Sequence, residues 1–212
     1  MYYIKLIFFT FTLTAIVNGL SIIEVNPPNP EQAALMARYI IHNVGWVVVS
    51  SISVMPEIPS YPYNTILEMC DGNNEKGNGI PYLYVTIFDP FHTNTLENNK
   101  CTLLATLATT DWCKEQQYEE EDPRCARVML SGRFVKMDNS TEEYQSALNN
   151  MHRRHPKTKY WPEAHHWYVA KIDIDLVTLF DAFGGLKTID VKEYLKANEY
   201  EHLNEIYSNP IY

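Results

Sequence analysis

Apolar residues first recur at helical spacing after Asn29-Pro30-Glu31, where Leu35, Met36, Tyr39 and Ile40 share one face and Gly45 supplies a stop. Asn as a cap, Pro in the first turn and Glu near the positive end of the dipole predict where that helix begins. The period then changes. β-Branched and aromatic residues gather at 46–54, 65–70, 82–88, 102–109 and 126–137, separated by turn formers at Asp71-Gly72, Gly77-Asn78-Gly79 and Asp138-Asn139. Five such runs in succession predict an antiparallel sheet that curls into a barrel, so the class is mainly β with flanking helices. Ser140 with Glu143 reads as a capping box that opens a helix through Met151, halted before Pro156. Strand character returns at 167–174 and 176–183 and ends at Gly184-Gly185. Asp190 with Glu193 then starts a C-terminal helical tail.

Ahead of this pattern stands a different kind of segment. Residues 1–19 hold one charge, Lys5, then an apolar stretch over 6–17 and a small residue at Gly19, the layout of a secretory signal peptide. About twelve apolar positions span only about 18 Å of helix, too little for a hydrocarbon core of about 30 Å. The reading is therefore a leader, no transmembrane anchor, and one compact domain over 20–212. Hydrophobic residues at 46% against charged residues at 20% place the chain among globular rather than disordered sequences. The formal charge is −9, and loss of Lys5 with the leader makes it −10. An acidic chain lacks the clustered Lys and Arg that track phosphates, so direct nucleic-acid binding is excluded from the reading.

Secretion permits disulfides. Four cysteines, Cys70, Cys101, Cys113 and Cys125, allow three connectivities. Cys113 and Cys125 bracket a charged, Pro-containing stretch between two apolar runs, and the expectation pairs them, with Cys70 bonded to Cys101. A zinc site would need short Cys-x-x-Cys spacing, which is absent. Asn139-Ser140-Thr141 is a glycosylation sequon placed where a strand must turn.

Catalytic signatures are missing. Gly72-x4-Gly77 lacks the Lys and Ser or Thr of a phosphate-binding loop, no dinucleotide fingerprint follows a strand, and Ser131 stands outside any nucleophile elbow. His152, His155, His165 and His166 cluster in sequence, but on a strand His165 and His166 point to opposite faces. Their neighbours Pro156, Trp161, Pro162 and Trp167 favour a packed aromatic corner in which imidazoles satisfy buried backbone groups, with metal binding or catalysis as the alternative.

Several segments together resemble the CREG family, the secreted cellular repressors of adenovirus-early-protein-stimulated genes. They are Ala37-Arg38-Tyr39, Gly79-Ile80-Pro81-Tyr82, Leu107-Ala108-Thr109-Thr110 followed by Cys113, and Asp122-Pro123 leading to Cys125. Met129-Leu130-Ser131-Gly132, His155-Pro156, Trp161-Pro162, Trp167-Tyr168-Val169-Ala170-Lys171 and Phe183-Gly184-Gly185 complete the ordered set. The resemblance implies a split β-barrel like that of flavin-mononucleotide-binding oxidases, built as a homodimer burying about 2,000 Å² or more. It implies an obstructed flavin groove and no cofactor, a regulator of growth and differentiation rather than an oxidase, and secretion or delivery to endosomes and lysosomes. It further implies binding to the mannose-6-phosphate/insulin-like growth factor II receptor, glycosylation at Asn139 and the Cys113–Cys125 pair, whereas Cys70 and Cys101 have no family counterpart. The rival on the same barrel is a flavin-dependent oxidoreductase or haem-degrading enzyme. Its phosphate would need gathered cations, for which Arg127 and Arg133, on one face of a strand that also carries Lys136, are the candidates. The bland reading is that they solvate an outer barrel face.

Overall fold

The computed structural model describes residues 26–73 and 76–198. The leader at 1–19 and the end of the predicted helical tail lie outside the described residues. Helix α1 (Ala33–Asn43) is followed by strands β1 (Trp46–Ile52), β2 (Pro62–Gly72) and β3 (Gly77–Val85), then helix α2 (Pro90–Glu97) and strand β4 (Lys100–Thr106). A short helix α3 (Asp111–Glu115) precedes β5 (Arg127–Lys136), α4 (Glu142–Arg154), β6 (Tyr168–Phe180), β7 (Leu186–Ile189) and α5 (Val191–Lys196).

All strand pairs are antiparallel, in the order β3-β2-β1-β4-β5-β6-β7, and β3 also pairs with β6, closing six strands into a barrel. Closure depends on the length of β6. Its first residues, from Tyr168, bond β3, its last, to Phe180, bond β7, and its other edge runs beside β5 throughout. A register shift opposite Ser131 and Gly132 leaves Asp175 as an extra residue between Ile174 and Leu176, a bulge that bends β6 so that this one strand can serve both partners.

Alternation fills the barrel, strictly so along β1 and β4. Val47 and Val49, Leu67 and Met69, Leu103 and Ala105, Val128 and Leu130, and Val177 and Leu179 all point inward and are buried. Helix α1 brings Met36, Ala37, Ile40 and Ile41 into the same core. Helix α4 lies outside, where Tyr144, Ala147 and Met151 cover Cys70, Tyr82, Tyr84 and Val169. No helix among the described residues is long and apolar enough to cross a membrane.

Several boundaries differ from the sequence reading for local reasons. Helix α1 starts at Ala33 because Asn29 instead forms a turn, accepting from the Glu31 and Gln32 amides. Thr141 rather than Ser140 caps α4, accepting from the Tyr144 amide at 3.2 Å, which frees Glu143 to receive the Lys171 ammonium at 2.7 Å. Asp190 caps α5 as expected, accepting from the Lys192 and Glu193 amides. The two predicted strands at 167–174 and 176–183 are one strand, and α2, α3 and β7 are additions.

Cys113 and Cys125 form a disulfide with Cα atoms 5.5 Å apart, tying α3 to the entry of β5. The pairing of Cys70 with Cys101 is corrected: both are free, buried thiols. They stand on β2 and β4, which β1 separates, and belong to different apolar clusters, Cys70 under α4 and Cys101 in the barrel core. Burial pushes each thiol up to about 12, so neither is a thiolate at neutral pH. Replacing Cys113 and Cys125 by Ser should cost about 3 kcal/mol, the loop-closure value for a link of this span, read by urea unfolding under non-reducing conditions. An unchanged midpoint would show that the link adds nothing to stability.

Candidate functional site

The closed barrel leaves an outer sheet face whose composition is unusual for a wetted surface. Registered pairing lines up Ile66, Val48, Leu104, Met129 and Thr178 as one row across β2, β1, β4, β5 and β6. Ile66 is 61% exposed and the next three are half-buried, so the row is an apolar band on the outside of the fold. The neighbouring row is Asn64, Ser50, Thr102, Ser131 and Leu176. Its hydroxyls bond sideways, Ser50 to Asn64 at 2.5 Å and Thr102 to Ser131 at 2.8 Å. Being short, they leave a shallow groove of about 400 Å³ that extends to Lys100 and Asp175.

Arg127 and Arg133 stand on this face as the first and seventh residues of β5. Six steps along the strand separate them, about 20 Å, too far to grip one phosphate. Each is also engaged: Arg127 donates to the Glu121 carbonyl at 3.2 Å and lies 5.0 Å over the Phe180 ring, and Arg133 pairs with Asp175 at 3.1 Å. The amide donors at the start of α2 are no substitute, because the Asp89 carboxylate already takes the Phe91 amide at 2.8 Å and the Thr65 hydroxyl at 2.9 Å. These residues do not fit a flavin phosphate.

The histidines sit where the sequence put an aromatic corner, with one change of geometry. His165 and His166 are in a turn, not on a strand, and His166 takes a left-handed conformation at φ +50°. Trp167 stacks on Tyr84 at 5.3 Å and on His165 at 5.9 Å, and packs 4.6 Å from Trp161. His155 donates from Nε2 to the Met69 carbonyl at 2.9 Å while Nδ1 meets Glu68 at 3.0 Å, and His152 bonds the Thr158 hydroxyl at 2.9 Å. Burial and the Lys159 charge hold His152 below the usual imidazole range. Among the described residues no three His, Cys, Asp or Glu side chains come together as metal ligands.

Sequence reasoning missed two buried charge centres. Asp71, fully buried at the end of β2, receives His42 from α1 at 2.9 Å and Arg154 from α4 at 3.3 Å. Arg38, 4% exposed on α1, donates to the carbonyls of Ala197 at 2.7 Å, Leu195 at 3.3 Å and Gly77 at 2.9 Å. It was visible only as part of Ala37-Arg38-Tyr39, a motif with no stated role. Asn139 is exposed in the turn between β5 and α4, where its side chain is open to modification.

The sequence model of a family described as "CREG, beta-barrel" matches residues 28–196. Protein CREG1 of Gallus gallus is 34% identical over 169 residues, covering 79% of this chain and 87% of the relative. Protein CREG1 of Homo sapiens is 35% identical over 170 residues, covering 79% and 76%. Among solved structures, a heme binding protein from Mycobacterium smegmatis superposes with a TM-score of 0.64 at 16% identity, over 88% of this chain and 71% of that one. A Clostridium acetobutylicum protein of the pyridoxinephosphate oxidase family does so with a TM-score of 0.52 at 14% identity, over 77% and 98%. At such identities the structural likeness speaks for the barrel alone, whereas the sequence matches run through nearly all of the described residues, and on them the chain belongs to the CREG β-barrel family.

Proposed function

We propose that this protein is a secreted or endolysosomal glycoprotein, carrying a glycan on Asn139, that works without catalysis or cofactor as a homodimer. It regulates growth and differentiation through protein partners, with the mannose-6-phosphate/insulin-like growth factor II receptor as the named candidate, and does not contact nucleic acid. The observation that carries the reading is the apolar row Ile66, Val48, Leu104 and Met129 on the outside of a closed barrel. A second copy laid across that row removes it from water without opening the sheet, and flat sheet faces bury the area an obligate dimer needs. The missing nucleophile and phosphate motifs and the occupied Arg127 and Arg133 support the non-enzymatic part.

The dimer is tested by charging its centre. Met129→Arg places an unpaired cation in the row, and the dimer should weaken by roughly 100-fold or more, read as a shift to monomer mass in light scattering. A wild-type chain that is monomeric at micromolar concentration sinks the proposal outright.

One observation favours a second reading: the barrel superposes on a heme binding protein. A haem- or flavin-using enzyme on this barrel would show itself as a coloured purified protein, or as a saturable absorbance change on titration with hemin or flavin mononucleotide. A colourless protein with no such change leaves the regulator standing.

A further inference from the structure

Apart from the outer face, a pocket of about 380 Å³ opens between α2 and the paired ends of β5 and β6. This volume falls in the range of small-molecule sites. Its back wall is Phe134, held edge-on against Phe91 at 5.3 Å, and its mouth is Leu96, an apolar side chain left 70% exposed. Between them three polar groups converge. Tyr168, 6% exposed, has its hydroxyl 2.7 Å from Nδ1 of His92, and the Lys136 ammonium lies 4.5 Å over the Tyr168 ring.

The protons follow from this geometry. Burial raises the Tyr168 phenol far above its ordinary value, so it keeps its hydrogen and is able to give it to Nδ1 of His92, one of the two directions open to this bond. Burial and the Lys136 charge hold His92 below the usual imidazole range, so at neutral pH the ring is uncharged, and in the tautomer whose Nδ1 accepts from Tyr168 its proton sits on Nε2. Among the described residues no carboxylate pairs with Lys136. The cluster therefore has two unspent donors, one carrying a full charge, beside an apolar wall.

We infer that this pocket binds a small organic carboxylate, whose two oxygens take the Lys136 ammonium and the His92 Nε2 proton while its apolar part lies on Phe134 and Leu96. One carboxylate matches one cation and one neutral donor. A phosphate dianion fits less well, because Glu97 lines the same pocket and the Asp89 charge acts on Tyr168. The inference is independent of the dimer and of the regulator reading.

The test titrates the full-length protein with benzoate and, separately, inorganic phosphate, following the His92 imidazole nitrogens by NMR. Benzoate should produce a saturable shift at Nε2 with Kd of roughly 1 mM, as expected for a ligand of so few atoms. Lys136→Gln should weaken it about tenfold, Lys136→Arg should keep it within about threefold, and Glu97→Gln should tighten it about threefold. Lys136 is exposed, so these variants fold. Absence of any saturable shift, a shift that survives Lys136→Gln unchanged, or phosphate binding more tightly than benzoate would each overturn the inference.

Discussion

Asp71→Ala is expected to destabilise the fold by about 3–5 kcal/mol, the loss typical when one member of a buried ion pair is removed. The side chain is fully buried, and the groups it leaves behind, His42 and Arg154, are themselves only 12% and 10% exposed. Arg154 keeps its bonds to the carbonyls of His42 at 2.5 Å and Val44 at 3.1 Å, but its charge then lacks a counterpart. Three elements meet at this carboxylate: α1 through His42, β2 through Asp71 and the last turn of α4 through Arg154. Their separation should appear in urea unfolding followed by tryptophan emission, since Trp161 and Trp167 lie in the cluster that α4 covers. Asp71→Asn keeps an acceptor and should lose less, and adding Arg154→Met to Asp71→Ala should recover part of the deficit, a coupling that a double-mutant cycle isolates. A loss below about 1 kcal/mol for Asp71→Ala would mean that the three elements are held by apolar packing alone.

The second large effect is expected at Arg38. Its guanidinium donates to three carbonyls, two of them at the end of α5, where it satisfies acceptors that the helix itself leaves open and meets the negative end of the dipole. Its charge also faces the Tyr194 ring at 5.8 Å, and the Tyr194 hydroxyl in turn donates to the Gly79 carbonyl at 2.6 Å. Arg38→Ala leaves these acceptors without the cation and should cost about 3 kcal/mol. Hydrogen exchange should show the loss concentrated in α5, whose amides would open well before the barrel does. Arg38→Lys should restore little, because an ammonium cannot span carbonyls of two separate segments as the planar fork does. Uniform exchange across the chain in Arg38→Ala would assign the residue to general core stability instead.

Both centres explain residues that the sequence presents as something else. Gly77-Asn78-Gly79 has the composition of a turn, yet it is the first part of β3. A Cβ on Gly77 would stand 2.1 Å from Asp71 Oδ2, and one on Gly79, which has φ +78°, would stand 2.7 Å from Arg38 Cδ. These glycines make room for buried charges, and nothing local distinguishes that from a hairpin. Helix α2 was hidden in a similar way. Asp89-Pro90 is a cap followed by a proline in the first turn, but the apolar run before it extends through Phe88, and α2 contributes only Phe91 and Leu96 as large apolar side chains. Asp173 and Asp175 interrupt the apolar pattern of β6 and divide it on paper. In space both are exposed on a strand that continues past them.

What the sequence determined by itself is the part that rests on period and on local chemistry. Alternation marks β1, β4 and β5 and their inward residues, because these strands keep one face in the core and register cannot slip without exposing it. Capping residues mark α5 and, within one position, α4, since a cap acts within a few residues of itself. The segments from Ala37 to Gly185 carry the family, and Cys113 with Cys125 its disulfide. Only the tertiary structure decided which charges are buried, that Cys70 and Cys101 stand apart, that Arg133 pairs with Asp175, and that His92, Lys136 and Tyr168 meet. Each of these is a relation between strands or helices far apart in the chain. Burial and distance between such elements are set by how the barrel closes, and β3 reaches β6 across more than eighty residues whose local pattern carries no trace of the pairing.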